Sequence, residues 1–238
     1  MFYCSNVKKQ KMEAKVLSIA NRKGGVGKST ITTLLATALS IDKKKKVCIV
    51  DCDNQKSITK YREMEIAAFP DEKVPYVIEA LHFKFLHDFI QFNKTKYDFI
   101  FIDIPRITDN DEGSQLLQIL GFCDGILVPF LGGVYESLST KDFIKAIQVL
   151  GDYKKSVSVD FEFYGVLNRK SRRKDNQETI EYLESEGLDV FNNSLNSLKL
   201  FSIPSTLFSV LEDKEGRRRF EPFFKEFCKK FEIEKSRK

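Results

Sequence analysis

The chain has 238 residues, 42% of them hydrophobic and 31% charged, which is enough apolar material for one sizeable core in an ordinary globular protein. No apolar run approaches the roughly 18 residues of a membrane span, and Met1 to Gln10 lacks the apolar stretch of a secretory signal, so a cytoplasmic protein is expected. Five scattered cysteines without a C-x-x-C pair exclude a disulfide framework or zinc site, and the net charge of +5 is modest enough that its placement matters more than its size.

Taken in order, residues 1–14 read as a disordered extension, with Met12 a candidate start, and residues 15–238 as one domain. Strand-like runs fall at 16–20, 47–50, 74–78, 98–102, 125–129 and 161–167. Helix-like stretches lie between them at 29–41, 56–67, 82–92, 114–120, 137–150 and 175–186, and a basic amphipathic helix closes the chain at about 218–233. This alternation predicts an α/β fold of a single domain, with a mostly parallel sheet and helices on both faces and its ligand at the carboxyl ends of the strands. His82 and His87, five apart on one helix, are poorly spaced for a shared metal. Lys43 to Lys46 read as a solvated helix terminus.

The chemistry concentrates at three strand ends. After the first strand comes Asn21-Arg22-Lys23-Gly24-Gly25-Val26-Gly27-Lys28-Ser29-Thr30. An ordinary phosphate loop, G-x-x-x-x-G-K-[ST], would put its first glycine at position 22, where Arg22 stands. The rest fits: Gly24, Gly25 and Gly27 let backbone N–H groups curl round phosphate oxygens, and Lys28 reaches the β- and γ-phosphates. Ser29 offers a hydroxyl to Mg²⁺, and Thr30 opens a helix whose positive end favours the anion. The second strand ends in Asp51-Cys52-Asp53-Asn54-Gln55 and the fourth in Asp103, carboxylates placed to hold hydrated Mg²⁺ (Asp51, Asp103) and to orient an attacking water (Asp53).

These three motifs, in this order, resemble those of the ParA/MinD family of deviant Walker ATPases, and most closely its small ParA-type members without an N-terminal helix-turn-helix domain. Lys23 matches the family's signature lysine. The resemblance implies a homodimer closed face to face over two ATP, with Lys23 crossing to the partner's nucleotide. It also implies a slow, partner-stimulated, Mg²⁺-dependent ATPase with a ParB-like or other activating partner. Tyr164-Gly165-Val166-Leu167-Asn168-Arg169 resembles the family's G-V-x-L-N-R strand end, which assigns Asn168 to the adenine edge and Arg169 to the nucleotide site. Ile203-Pro204 resembles the turn before the segment that closes over the base. Asn54 and Lys56 stand where the family commonly has Pro and Gly, and Arg106 follows Pro105 where it has a second proline.

The positive surplus sits at the C-terminus: residues 214–238 hold ten Lys or Arg against five Asp or Glu, which leaves 29 of each sign elsewhere. With the run Arg169 to Lys174 this suits a nucleic-acid backbone, because each neutralised phosphate releases counterions whatever the sequence. Arg172, Arg173, Arg217, Arg218 and Arg219 are the DNA-contact candidates. The resemblance implies non-specific DNA binding in the ATP state, nucleoid association, and partition or positioning of a plasmid, mobile element or other cargo. A competing expectation comes from Phe220, Phe223, Phe224, Phe227 and Phe231, which recur at helical spacing with Pro222 near the helix start. That stripe either docks on the sheet or, as in MinD-like relatives, lies on an anionic membrane. An iron–sulfur reductase that shares the loop would use Cys123 near a dimer axis, and a metabolic ligase would need a substrate site that no motif supplies.

Overall fold

The computed structural model of the protein describes residues 13–104, 112–169, 175–197 and 199–233. Six strands, β1 (Lys15–Ile19), β2 (Val47–Asp51), β3 (Val77–Ala80), β4 (Phe99–Asp103), β5 (Gly125–Phe130) and β6 (Glu162–Leu167), form one sheet in the order β3-β2-β4-β1-β5-β6. Every neighbouring pair is parallel, so every connection needs a crossover, and helices supply it. The strands β2, β4 and β5 are buried along their whole length, as strands covered on both faces are.

Period-two alternation sorts the strand side chains into two layers. Leu17, Ile49, Phe101 and Leu127 face α1 (Lys28–Ile41), α2 (Ser57–Ala68), α7 (Lys199–Ser202) and α8 (Lys214–Lys230). Val16, Cys48, Ile100 and Ile126 face α3 (Leu86–Asn93), α4 (Glu112–Gly121), α5 (Val134–Ser156) and α6 (Asp175–Ser185). The first crossover leaves β1 toward β2 and the fourth leaves β4 toward β5, on the other side. The crevice between β1 and β4 is therefore the point where a sheet of this kind opens for a ligand.

Several boundaries differ from the sequence expectation. Glu13 and Ala14, read as extension, belong to the fold: Glu13 pairs with Lys94 at 2.7 Å and the Ala14 N–H donates to the Lys94 carbonyl at 2.6 Å. The third strand starts at Val77 rather than 74, because Pro75 has no N–H to give a ladder; its carbonyl accepts from Ser40 Oγ at 2.5 Å instead. The stretch expected as one helix from 82 splits into a 3-10 turn, Phe83–Phe85, and α3, with His82 Nδ1 capping the turn at the Lys84 N–H. The fifth helix continues to Ser156, six residues past the expected end, where buried Lys154 spans from its last turns to the Cys123 carbonyl.

The terminal helix resolves the competing expectations for the phenylalanine stripe. Phe220, Phe223, Phe224, Phe227 and Phe231 are all buried in the core beside α1 and β1, ring against ring. The helix starts at Lys214, four residues earlier than expected, because Asp213 accepts from the Gly216 N–H at 2.7 Å as an N-cap. Pro222 thus lies in the ninth helical position rather than at the start, and it faces solvent. An interior proline costs about 3 kcal/mol. Five buried rings contribute on the order of 10 kcal/mol, so packing overrides it.

Candidate nucleotide site

The three motif-bearing ends meet at one open cavity of about 640 Å³, lined among others by Gly25, Gly27, Lys28, Ser29, Asp53 and Gln55. The loop after β1 turns through two glycines with left-handed backbone, Gly25 (φ 76°) and Gly27 (φ 100°). At Gly27 the need is double, because an added Cβ would also collide with the Asn168 amide. Gly27 is the N-cap of α1 and no side chain caps it, so the positive end of that helix faces the cavity.

Lys28 is buried, and its ammonium donates to the carbonyls of Asn21 (3.2 Å) and Lys23 (3.1 Å). The loop is held from below by Asn21, a residue to which sequence reasoning gave no role. Its Nδ2 donates to the Pro129 carbonyl (2.9 Å) and Thr140 Oγ1 (3.3 Å), and its Oδ1 accepts the Lys23 N–H (3.1 Å). This one amide ties the signature lysine's backbone to β5 and α5. A polar residue directly after an apolar strand was the available signal.

Two aspartates stand side by side beneath the loop, Asp51 and Asp103, partners in the β2–β4 register. Both are fully buried, and each carries one oxygen with no protein partner, Oδ1. The other oxygen of Asp103 accepts from Ser29 Oγ at 2.8 Å; that of Asp51 accepts from the Thr59 N–H (3.1 Å) and Thr59 Oγ1 (2.7 Å). Burial, with the neighbouring carboxylates, pushes Asp103 up to about 7, and the Ser29 hydrogen bond only partly opposes it. Two orphaned carboxylate oxygens beside a serine hydroxyl fit a hydrated Mg²⁺, which takes few protein ligands and keeps its waters and the phosphates. No cluster of three or more His, Cys, Asp or Glu exists among the described residues, as such a site requires none.

Asp53 lines the cavity and turns the following loop by accepting the Gln55 N–H at 2.8 Å. The next loop residue, Lys56, adopts φ 51°, a backbone state natural to glycine, which accounts for the glycine common at this place in the resembling family. Here the lysine stays because its Nζ donates to the carbonyls of Asp51 (2.6 Å) and Leu81 (3.2 Å), pinning the loop across the ends of β2 and β3.

The remaining predicted residues scatter in role. Thr30 and Arg169 line the cavity, and Val26 is buried beneath the loop with Gly24 exposed on it. Asn168 Nδ2 donates to the Val26 carbonyl (2.7 Å) and its Oδ1 accepts the Arg169 N–H (2.8 Å). Its amide therefore braces the phosphate loop from the end of β6. It also borders a small second cavity of about 30 Å³ with Thr30, Leu34, Phe201 and Ser202, whose lining does not include Pro204. Arg172, Arg173, Pro105 and Arg106 lie outside the described residues. Arg217, Arg218 and Arg219 are exposed on α8: Arg217 donates to the Leu211 carbonyl (2.8 Å), while Arg218 (2.6 Å) and Arg219 (2.9 Å) share Glu215. Cys48, Cys52, Cys123 and Cys228 are buried thiols, and burial pushes Cys48 and Cys52 up to about 12 and raises Cys123 as well; Cys123 is fully buried against α4 with its thiol on the Ile119 carbonyl, not on a surface that a dimer axis could cross.

Residues 17–203 match the family described as the CobQ/CobB/MinD/ParA nucleotide binding domain. The chain belongs to that family. As a CobQ/CobB/MinD/ParA domain it is 27% identical over 136 residues to maintenance of carboxysome distribution protein A of Halothiobacillus neapolitanus, an alignment of 57% of this chain. The match spans 59% of that relative's length. An ATP complex of McdA from Cyanothece superposes with a TM-score of 0.71 at 15% identity, covering 95% of this chain and all of that one. A putative plasmid partition protein from Borrelia burgdorferi bound to AMPPNP gives 0.61 at 19% identity, covering 92% and 99%. Cobyrinic acid a,c-diamide synthase from Mycobacterium smegmatis, with an ATP analogue and magnesium, gives 0.70 at 16% identity, covering 94% and 97%. At these identities the superpositions establish the fold, a P-loop domain with the parallel sheet described above.

Proposed function

We propose that the chain is a switch ATPase of the ParA type: two copies close over two Mg·ATP, bind DNA non-specifically in that state, and release it after hydrolysis. The observation that carries the reading is the meeting of Lys28, the Ser29–Asp103 pair and Asp53 on one cavity at the mouth of a loop led by Lys23. Relatives named for carboxysome distribution and plasmid partition support a positioning task for an intracellular cargo or plasmid.

In this mechanism Lys28 exchanges the Asn21 and Lys23 carbonyls for phosphate oxygens, and the amino end of α1 draws the same anion through its dipole. Ser29 would hold Mg²⁺ directly and Asp51 and Asp103 would hold it through water, and the bound ion would supply neutralisation of phosphate charge. Asp53 accepts a hydrogen bond from the attacking water and aims it in line with the γ-phosphorus. Lys23 supplies a cation to the partner's nucleotide, so hydrolysis dissolves contacts that exist only in the dimer. An activating partner of the ParB kind would accelerate that step. On α8 the exposed Arg218 and Arg219 share a single acidic neighbour, Glu215, with Arg217 exposed beside them, and such surface pairs are worth at most about 1 kcal/mol, so a DNA phosphate can displace it. The buried phenylalanine stripe leaves α8 without the apolar face a membrane-lying helix needs.

The test is binding of an Asp53→Ala protein to arbitrary duplex DNA and to anionic liposomes, with ATP or ADP, across a salt series. ATP-dependent DNA binding that weakens with salt is expected. Liposome binding without DNA binding would refute the reading.

A further inference from the structure

Away from the phosphates, two charged residues on α2 are buried to 6% and 7% exposure, Arg62 and Glu65, with Thr206 at 0% between them. Arg62 donates from Nε to Thr206 Oγ1 (2.6 Å), from one terminal nitrogen to the Thr206 carbonyl (3.0 Å) and from the other to the Tyr76 carbonyl (2.9 Å). Glu65 Oε2 accepts the Thr206 N–H (2.7 Å) and hydroxyl (2.5 Å), while Oε1 accepts from Ser205 Oγ (2.6 Å). From α1, Thr37 Oγ1 reaches the Ser205 carbonyl (3.2 Å) and the Tyr76 hydroxyl (3.0 Å). Packing alone does not call for this: an apolar trio of similar volume is commonly as stable as a buried ionic one. What the charges add is a fixed direction for the backbone at 205 and 206.

That backbone is the root of a wall. Immediately before it come Ile203, 68% exposed, and Phe201 and Ser202, which border the small cavity beside Asn168. At about 30 Å³ the cavity holds a water or two and no nucleobase. A base entering there displaces the 199–203 segment about its fixed end, which is Thr206. The other end of the clamp is α2, whose first turn is tied to Asp51 through Thr59 and which leads directly out of the Asp53 loop.

We propose that Arg62 and Glu65 are positioning residues for the nucleobase: by gripping Thr206 they make the base-side wall and the helix leaving Asp53 one rigid piece, so that seating the base sets the water-orienting carboxylate. This rests on the nucleotide reading given above. It assigns to three residues outside both cavities a control over base-dependent affinity and turnover.

The experiment compares wild type, Thr206→Val, which removes the hydroxyl at nearly constant volume, and Thr206→Ser, which restores it. Dissociation constants are measured for Mg·ATP and for Mg·tripolyphosphate, a ligand without a base, together with single-turnover ATP hydrolysis. Loss of hydrogen bonds to two charged partners is expected to weaken ATP about tenfold in the valine variant and to slow its hydrolysis at saturation, with tripolyphosphate affinity unchanged and serine restoring both. An unchanged ratio of the two affinities, or an equal fall in both, overturns the clamp. Should the valine variant not fold, Glu65→Gln, which keeps one acceptor, is measured in the same way against the same criterion. A wild type that binds neither ligand overturns the nucleotide reading along with it, whereas a wild type preferring ATP and variants that keep that preference overturn the clamp alone.

Discussion

Phe223→Ala separates a terminal helix that is core from one that is a membrane surface. The ring is fully buried and lies 5.5 Å from Phe191 and 5.7 Å from Phe220, centroid to centroid. Removing it forfeits the transfer energy of the ring and leaves a cavity between α8 and the sheet, a loss of about 3–5 kcal/mol. Set against a total stability of roughly 5–15 kcal/mol, that is about a fifth or more of what holds the domain together. With a urea slope of about 3 kcal/mol per molar, the midpoint should fall by about 1–1.7 M. Lys225→Ala on the same helix, 69% exposed in its side chain and paired to Glu221, is the control and should shift the midpoint by little. A loss below about 1 kcal/mol for Phe223→Ala, accompanied by lost binding to anionic vesicles, would show that the ring works outside the core and would refute the packing argument.

Asp103 sets a pH dependence in the nucleotide-free protein. Its folded carboxyl holds a proton up to about 7 while the unfolded chain releases it near 4, so this group's contribution to stability falls as pH rises between those values, by about 4 kcal/mol at most. Urea unfolding of wild type and Asp103→Asn at pH 5 and pH 8 should show the variant gaining relative to wild type at the higher pH; parallel profiles would contradict it. Gly27→Ala places a Cβ at φ 100° and against Asn168, and should abolish nucleotide binding while lowering Tm, as read by calorimetry and thermal melts. Lys28→Ala should remove binding of a fluorescent ATP analogue while leaving the far-ultraviolet circular dichroism of the fold intact, because its ammonium donates to carbonyls of the loop itself.

The fold was legible where the pattern was strong. Runs such as Phe99 to Ile102 or Ile126 to Val128 are apolar because both faces of a parallel strand are covered, and that composition is visible without coordinates. Glycines and the Lys28-Ser29 pair announced the phosphate loop because the chemistry allows few substitutes. What stayed hidden depends on partners distant in sequence. Asn21 meets Thr140, Arg62 meets Thr206 and Lys56 meets Leu81, and nothing local marks a polar side chain as buried by a loop far along the chain. Asn168 was assigned to a base edge by resemblance, yet here its amide is engaged with Val26 and Arg169. The early start of α8 escaped because Asp213 acts as a cap while Pro222, the louder signal, sits on the solvent side of a helix whose other face outweighs it.

The layer that receives α8 also contains α1 and β1, so the earliest and latest parts of the chain share one core. Lys15 donates to the Phe231 carbonyl at 3.2 Å, 216 positions away. During synthesis, at about 5–20 residues per second, the phosphate loop would be complete for ten seconds or more before the rings that seat its helix have been made. In that interval the α3–α6 layer can collapse first, leaving the α1 face of the sheet open to a chaperone or to another nascent chain. Slower translation of the segment before Lys214 would lengthen that exposure, and ligand added to ribosome-bound chains would report when the pocket first becomes competent.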